Sequence, residues 1–437
     1  MNVVILGLGQ YENGSGIAAA LYFAKRGDSV VVTDLKKASL LGNNPARLRK
    51  FKNVRFVLGR HDLEDIRNTD LIVRNPGITD KAETLKLARK LDKLIVSDVS
   101  IFLEKCPAKV IGITGTRGKS TTVSLFAEIL RKSKKWRKVW LGGNILISPL
   151  QFLDQVKKND IVVLELSSWQ LETLGEHGVS PNIALWTNLM RDHLNTYKSM
   201  EEYAEAKAQI FRHQGPRGRV FLPAEKYFDS YANQTAGIAY RWGKSGSEEV
   251  TLVDSVAMRL VGEHNRENAM AAVAVARGLG VSKTTIKEVL KKFSGVPNRQ
   301  EILGKKKGVT IVNDTTATTP DAAMAAVKRF ASEGKLFLIF GGADKVLEFD
   351  EVSKTLKKYE VRVALLPGTA HAKILNKFRK YKVDYFDVDS LKEAVIRLMD
   401  ESEKGSVLIL SPGCASFGLF KNEFDRGEQF KNIFKKL

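Results

Sequence analysis

Short uninterrupted apolar runs recur along the chain, separated by stretches in which apolar residues return every three or four positions. VVIL (3–6), VVVTD (30–34), LIVRNPG (71–77), VIGITG (110–115) and IVVLELSS (161–168) are such runs. VTIVND (309–314), LFLIFGG (336–342), VRVALLPG (361–368) and SVLILSPG (406–413) resume the pattern after residue 300. Strands buried on both faces read as continuous apolar runs, and helices connect such strands in parallel sheets. The pattern predicts an α/β protein with several parallel sheets. Its breaks predict three domains, 1–93, 94–297 and 298–437, with the turn-rich GVPNRQ (295–300) at the second boundary.

Composition narrows this picture. A length of 437 residues fits about three domains, and 43% hydrophobic residues with 11 prolines fit a folded globular chain. No run approaches the roughly 18 apolar residues of a membrane span. The opening MNVVILGLGQYENG lacks a basic segment and a cleavage site, so it reads as a strand rather than a signal peptide. Cys106 and Cys414 are the two cysteines, which suits a reducing cytoplasm and no disulfide framework. The net charge of +21 invites a nucleic-acid reading. The lysines are scattered, however, and no basic module interleaved with aromatics stands out. A solvated basic surface, or attraction to a polyanionic small substrate, is the preferred reading.

Chemistry concentrates in loops after the apolar runs. GITGTRGKSTT (112–122) is a strand, a glycine loop and a helix start, which aims backbone N–H groups and a helix N-terminus at an anion. Lys119 would neutralise phosphates and the Ser120 hydroxyl would hold Mg²⁺. The usual first glycine of a Walker loop is Ile113, so the matching stretch is the tighter Gly115 to Thr121. Glu165, ending the run IVVLE, stands at the sheet edge where ligands bind and could ligate that ion. The alternative is an acid that caps the next helix beside Ser167 and Ser168. Asp192 and His193 follow the apolar IALWTN and could form an oriented metal or acid–base pair, although a lone histidine is usually structural. Lys207 lies on a helix where a solvated lysine is the default.

GEHNRENAMAA (262–272) sets Asn265 and Asn268 on one helix face, either to read a nucleotide or to cap and pack. NDTTATTPD, FGGADK and LSPGCASF are polar loops at strand ends. Lys345 and Ser411 there could hold carboxylates, or the loops are plain turns. Cys414 reads as a small buried hydrophobe. GLGQYENGSG (7–16), with Asp34 after the second strand, looks like a loose dinucleotide fingerprint.

Taken in order, GTRGKSTT, ELSSWQLE, DHLNTYKSMEEYAEAK, GEHNRENAMAA, VPNRQE, NDTTATTPDA, GGADK and LSPGCASF with its following F, RG and F resemble the Mur ligase family over nearly the whole chain. ELSSWQLE resembles the form found in the member that adds D-glutamate. The resemblance implies a Rossmann-like N-terminal domain binding a UDP-sugar, a central P-loop ATPase-type domain and a Rossmann-like C-terminal domain binding an amino acid. It implies that ATP activates the carboxylate of UDP-N-acetylmuramoyl-L-alanine as an acyl phosphate, which D-glutamate then attacks. Gly115, Thr116, Arg117, Gly118, Lys119, Ser120, Thr121, Asn265, Asn268, Arg299 and Asp314 would bind ATP. Ser120, Glu165, His193 and a carbamylated Lys207 would hold two Mg²⁺ ions, and Asn144 would face the reacting groups. Gly9, Asp34, Asn75 and Gly77 would bind the UDP-sugar, and Thr318, Lys345, Ser411 and Phe417 would receive D-glutamate. The family further implies a cytoplasmic enzyme, expected as a monomer, with a hinge near 295–300.

Three positions depart from the family pattern. Thr316 stands where a lysine is usual, Asn298 where a histidine is usual, and GLGQYENGSG is longer than the common loop. Arg117 or a scattered lysine would have to restore the charge lost at Thr316. Two competing readings follow. A nicotinamide-dependent oxidoreductase built on the first glycine loop leaves the rest of the chain unexplained. A nucleotide-binding member that no longer ligates, or that takes another amino acid, draws on the departures.

Overall fold

A computed structural model describes residues 1–145, 147–192, 196–260, 262–344, 347–416 and 418–437. The chain divides into two compact units, Met1–Phe293 and Ser294–Leu437. The first unit contains two sheets. Strands β1 (Asn2–Leu6), β2 (Ser29–Asp34), β3 (Val54–Leu58), β4 (Leu71–Arg74) and β5 (Leu94–Val96) form a parallel sheet in the order β3-β2-β1-β4-β5. Strands β6 (Lys109–Thr114), β7 (Val139–Gly143), β8 (Ile161–Glu165), β9 (Ile183–Trp186), β10 (Arg219–Pro223) and β11 (Ile238–Trp242) form a second parallel sheet, ordered β11-β10-β9-β6-β8-β7.

The first unit is held by a core that runs through both sheets. Val3, Ile5 and Val32 of the first sheet, Phe102 on the helix Asp98–Lys105, and Val162 and Leu164 of the second sheet belong to one apolar cluster. The other face of the second sheet packs Ile111, Ile113 and Val163 against the helices Lys119–Ser133 and Glu263–Gly278. With β6 between β8 and β9, the loop after β6 opens at the point where chain connections diverge to either side. Ligands of open parallel sheets bind at that place.

In the second unit β12 (Glu301–Lys306), β13 (Val309–Asn313), β14 (Leu336–Gly341), β15 (Arg362–Leu366), β16 (Asp384–Asp387) and β17 (Val407–Leu410) follow the order β12-β13-β17-β14-β15-β16. Only the edge strand β12 is antiparallel. The alternation of side chains along a strand sends Val312, Leu338, Val363 and Ile409 to one core and Ile311, Ile339, Ala364 and Leu408 to the other. Helices therefore cover both faces. At the carboxyl edge the fully buried Arg426 guanidinium donates to the Thr315 hydroxyl (3.0 Å) and carbonyl (2.8 Å) and to the Cys414 carbonyl (3.4 Å). It thereby ties the last helix to two of the loops that the sequence singles out. Cys414 itself is buried, and burial pushes its thiol up to about 12. Among the described residues no helix is long and apolar enough to cross a membrane.

Candidate active site

The loop after β6 is shaped by close approach. Gly118 caps the helix Lys119–Ser133 at φ +76°, and a Cβ there would lie 1.9 Å from Asn268 Oδ1. A Cβ on Gly115, at φ +151°, would lie 1.9 Å from the Thr187 hydroxyl. The exit of β9 clamps the loop from outside. Asn188 Oδ1 accepts the N–H groups of Thr116 (3.1 Å) and Arg117 (2.9 Å), and its Nδ2 donates to the Arg117 carbonyl (3.1 Å). The Thr187 hydroxyl donates to the same carbonyl at 3.1 Å. Sequence reasoning did not single out Thr187 and Asn188. The signal available was a Thr-Asn pair closing a fully apolar strand.

Two lysines converge inside the loop. Lys119 Nζ donates to the carbonyls of Gly115 (2.9 Å) and Thr116 (3.0 Å). Lys207 Nζ, on the helix Met200–Arg212, donates to the same Gly115 carbonyl at 3.0 Å and is 1% exposed. It also stands 4.3 Å from the centre of the Tyr203 ring. Burial, reinforced by the Lys119 charge and opposed by Asp192, pushes Lys207 well below the ordinary lysine range. A solvated helix lysine is therefore not what the structure contains. The Arg117 guanidinium lies 3.6 Å from the Asp192 carboxylate.

Glu165 ends β8 with its side chain buried. Its Oε1 accepts Asn144 Nδ2 at 2.9 Å, and the Asn144 N–H donates to the Glu165 carbonyl at 2.8 Å. Glu165 Oε2 is buried without a hydrogen-bond partner among the described residues. Capping of the next helix falls instead to Ser167, which forms a reciprocal capping box with Gln170. An orphaned carboxylate oxygen beside the phosphate loop suits a cation. Among the described residues no group of three histidine, cysteine or carboxylate side chains gathers. A cation held by Glu165 would thus draw on ligands such as the Ser120 hydroxyl, which the helix start places in the same loop. Asn265 and Asn268 are buried on the helix Glu263–Gly278, and Asn268 Oδ1 accepts the Thr122 hydroxyl at 3.3 Å.

In the first sheet Asp34 holds the glycine loop. Its Oδ2 accepts Leu8 N–H (2.9 Å) and Gly9 N–H (3.1 Å), and its Oδ1 accepts Lys36 N–H (2.9 Å). Asn75 donates to the Gly7 carbonyl (3.2 Å) and accepts Gly77 N–H (3.1 Å). The structure thus brings Gly9, Asp34, Asn75 and Gly77 to one edge. The long loop also reaches the second sheet, where Ser148 N–H donates to the Asn13 carbonyl at 2.8 Å and the Ser148 hydroxyl to buried Asp98 at 2.6 Å. Burial raises the Asp98 carboxyl despite the hydrogen bonds it accepts.

In the second unit the Ser411 hydroxyl donates to Asp314 Oδ2 at 2.7 Å and Gln300 N–H to Oδ1 at 3.0 Å. Burial outweighs these bonds and the nearby Arg299 and Arg329 charges, and pushes the Asp314 carboxyl up to about 7. Ser411 and Asp314, expected at different ligands, are thus direct partners. The two departures from the family pattern meet as well. The Thr316 hydroxyl donates to the Asn298 carbonyl at 2.9 Å, with Asn298 at φ +68°. Thr318 N–H donates to the Thr316 carbonyl at 3.0 Å, and Arg299 is exposed. His193, Lys345 and Phe417, expected to serve the metal and D-glutamate, lie outside the described residues.

A parallel sheet carrying such a loop defines a phosphate-binding α/β protein. Family models place it further. The Mur ligase MurD-like N-terminal domain matches residues 1–97, the Mur ligase middle domain 113–276, and the Mur ligase glutamate ligase domain 298–414. The chain belongs to the Mur ligase family. It is 37% identical over 466 residues to the UDP-N-acetylmuramoylalanine–D-glutamate ligase of Roseiflexus sp. (strain RS-1), covering 99% of this chain and 98% of that one. The protein of the same name from Borreliella afzelii (strain PKo) is 35% identical, with 100% and 98% covered. Among solved structures, the UDP-N-acetylmuramate-alanine ligase MurC of Thermotoga maritima superposes with a TM-score of 0.59 at 20% identity, covering 100% of this chain and 99% of that chain.

Replacing Gly118 by alanine forces the loop away from Asn268. ATP turnover measured as ADP release falls on the order of a hundredfold, since displacements of about 1 Å at such sites have that effect on rate, while the circular dichroism spectrum is retained. For Asp314, the raised carboxyl stabilises the folded state while protonated. That contribution is full below the ordinary value of 3.8 and is lost as pH rises through about 7. Urea unfolding of the wild type therefore loses on the order of 4 kcal/mol across this window, and Asp314→Asn removes most of that slope.

Proposed function

We propose that this chain is an ATP-dependent ligase joining D-glutamate to UDP-N-acetylmuramoyl-L-alanine in peptidoglycan precursor synthesis. The observation that carries this reading is the full-length similarity to proteins of that name, together with the phosphate loop they would share. Residues 1–93 hold the UDP-sugar, 94–297 hold ATP, and 298–437 receive D-glutamate, in a monomer acting in the cytoplasm.

The chemistry follows from the need for a leaving group. A carboxylate does not react with an amine near neutral pH, so its oxygen first attacks the γ-phosphorus of ATP and ADP departs. The D-glutamate amine then adds to the acyl carbon, and the tetrahedral species expels phosphate to leave the amide. The Lys119 ammonium and the backbone N–H groups of the loop offset the charge that gathers in phosphoryl transfer. Mg²⁺, held by Ser120 and Glu165 and by His193 with modified Lys207, supplies charge neutralisation and Lewis acidity when bound. Asn144, fixed on Glu165, presents its amide toward the reacting groups. Lys207 acts through its neutral amine. Nitrogen adds to the carbon of CO₂ and loses one proton to solvent, which gives a carbamate anion and turns a would-be cation into an oxygen ligand.

Phosphate release by the purified protein with ATP, Mg²⁺ and UDP-N-acetylmuramoyl-L-alanine, across a panel of amino acids, tests the assignment. Release with D-glutamate alone, and an amide product of matching mass, is expected. Silence throughout, with ATP still bound, would favour the second reading that Thr316 and Asn298 suggest, a member that binds nucleotide without ligating. The same assay in CO₂-free buffer should lose most of its rate and regain it on adding bicarbonate. A rate indifferent to CO₂ removes the carbamate from the mechanism.

A further inference from the structure

The second sheet has another edge, opposite the phosphate loop, and it is strongly basic. RKSKKWRK (131–138) places six cations in eight residues, running from the end of the helix Lys119–Ser133 to the start of β7. Lys109 opens β6 beside it, and Lys158 precedes β8. Together Lys109, Lys134, Lys135, Trp136, Arg137 and Lys158 ring a cavity of about 540 Å³.

The acid in that cavity is already occupied. Asp160 accepts Arg137 Nη2 at 2.6 Å, Trp140 Nε1 at 2.8 Å and Lys157 N–H at 2.9 Å. These bonds hold its carboxyl below the usual range in spite of burial. Lys135 Nζ is bound to the carbonyls of Leu279 and Gly280 at 2.8 and 3.0 Å. Lys109, Lys134 and Lys158 remain exposed, and Trp136 beside them is half-buried on the core beneath. Glu288 pairs with Lys132 at 3.1 Å and Asp160 with Arg137, which leaves Lys109, Lys134 and Lys158 without an ion pair among the described residues. The six residues of β6 put this edge roughly 20 Å from the phosphate loop at about 3.3 Å per residue. Occupation of one leaves the other free.

We propose that this edge docks the enzyme on an anionic lipid bilayer, with phosphate headgroups entering the lysine-ringed cavity. Lysines on flexible stems suit a diffuse layer of mobile phosphates, each contributing to surface attraction, and a half-buried tryptophan suits the interface. Bidentate recognition of nucleic-acid phosphates and bases instead favours the planar arginine fork. Arg137, the arginine lining the cavity, is committed to Asp160. With no membrane-crossing helix among the described residues, the association is peripheral and sensitive to salt. It goes beyond the proposed ligation and does not depend on it.

The test is sedimentation of the full chain with vesicles of phosphatidylcholine containing a quarter phosphatidylglycerol. Wild type should bind these and not pure phosphatidylcholine. The triple variant Lys109→Gln, Lys134→Gln, Lys158→Gln should bind roughly a hundredfold more weakly, about fivefold per lysine. A control of equal charge, Lys357→Gln, Lys382→Gln, Lys392→Gln, should bind as the wild type does. Equal loss in both triples would overturn the proposal, since total charge rather than this edge would then be responsible. Absence of wild-type binding to anionic vesicles overturns it too. So does tighter binding to duplex DNA that the first triple abolishes.

Discussion

One carbonyl oxygen organises the central site. Gly115 O receives Lys119 Nζ at 2.9 Å and Lys207 Nζ at 3.0 Å. Two full ammonium charges cannot share one acceptor in a buried place without large cost. Lys119 is half-buried and Lys207 fully buried, and burial together with the Lys119 charge pushes Lys207 well below the ordinary lysine range. The arrangement thereby sorts two chemically identical side chains into different roles. Lys119 opens the helix that follows the loop, and Lys207 is the lysine whose charge burial disfavours. The carbonyl can serve both because Gly115 lacks a Cβ that would meet Thr187, and because Asn188 fixes the two residues that follow.

The same economy of contacts joins the first two sheets. The hairpin after β7 starts at Asn144, bound to Glu165, and ends at Ser148, bound to Asn13 and Asp98. Hydrogen bonds a few residues apart thus link the long glycine loop of the first sheet to the carboxylate beside the phosphate loop. The continuous core beneath resists any other relative movement of these elements. Within GLGQYENGSG, longer than the common family loop by the resemblance, the Asn13 carbonyl accepts Ser148 N–H.

Legibility in the sequence followed burial. The nine apolar runs all became strands, because each is covered on both faces and carries its signal in every residue. β12 and β16 escaped notice. They are sheet edges, with GKK in one and DYFD in the other, and none of their positions is fully buried. At the site, glycines and charged residues in Gly115–Lys119 were legible because phosphate chemistry restricts them. Asn188, Thr187, Ser148 and Asp98 were not, since a side chain that holds a backbone amide looks like any polar residue until the fold brings its partner near. The RKSKKWRK run read as a short scattered charge because Lys109 and Lys158 join it only through the parallel order of β6, β7 and β8.

The charge lost at Thr316 has a candidate replacement that neither motif nor spacing revealed. Arg117, which the sequence offers beside a scattered lysine, lies 3.6 Å from Asp192. Arg329 sits on the helix Pro320–Phe330 and donates to Gln300 Oε1 at 3.2 Å. Gln300 in turn gives its N–H to Asp314, whose carboxyl the Arg329 charge helps to ionise. Burial opposes the Arg329 charge and lowers its pKa, so the guanidinium gains from any anion that approaches Asp314 and Arg299. A lysine at 316 would place a second cation on this loop and remove the hydroxyl that pins Asn298 in its left-handed turn. Thr316 and Asn298 are thus joined in one fixed loop, which Arg329 reaches from the next helix through Gln300.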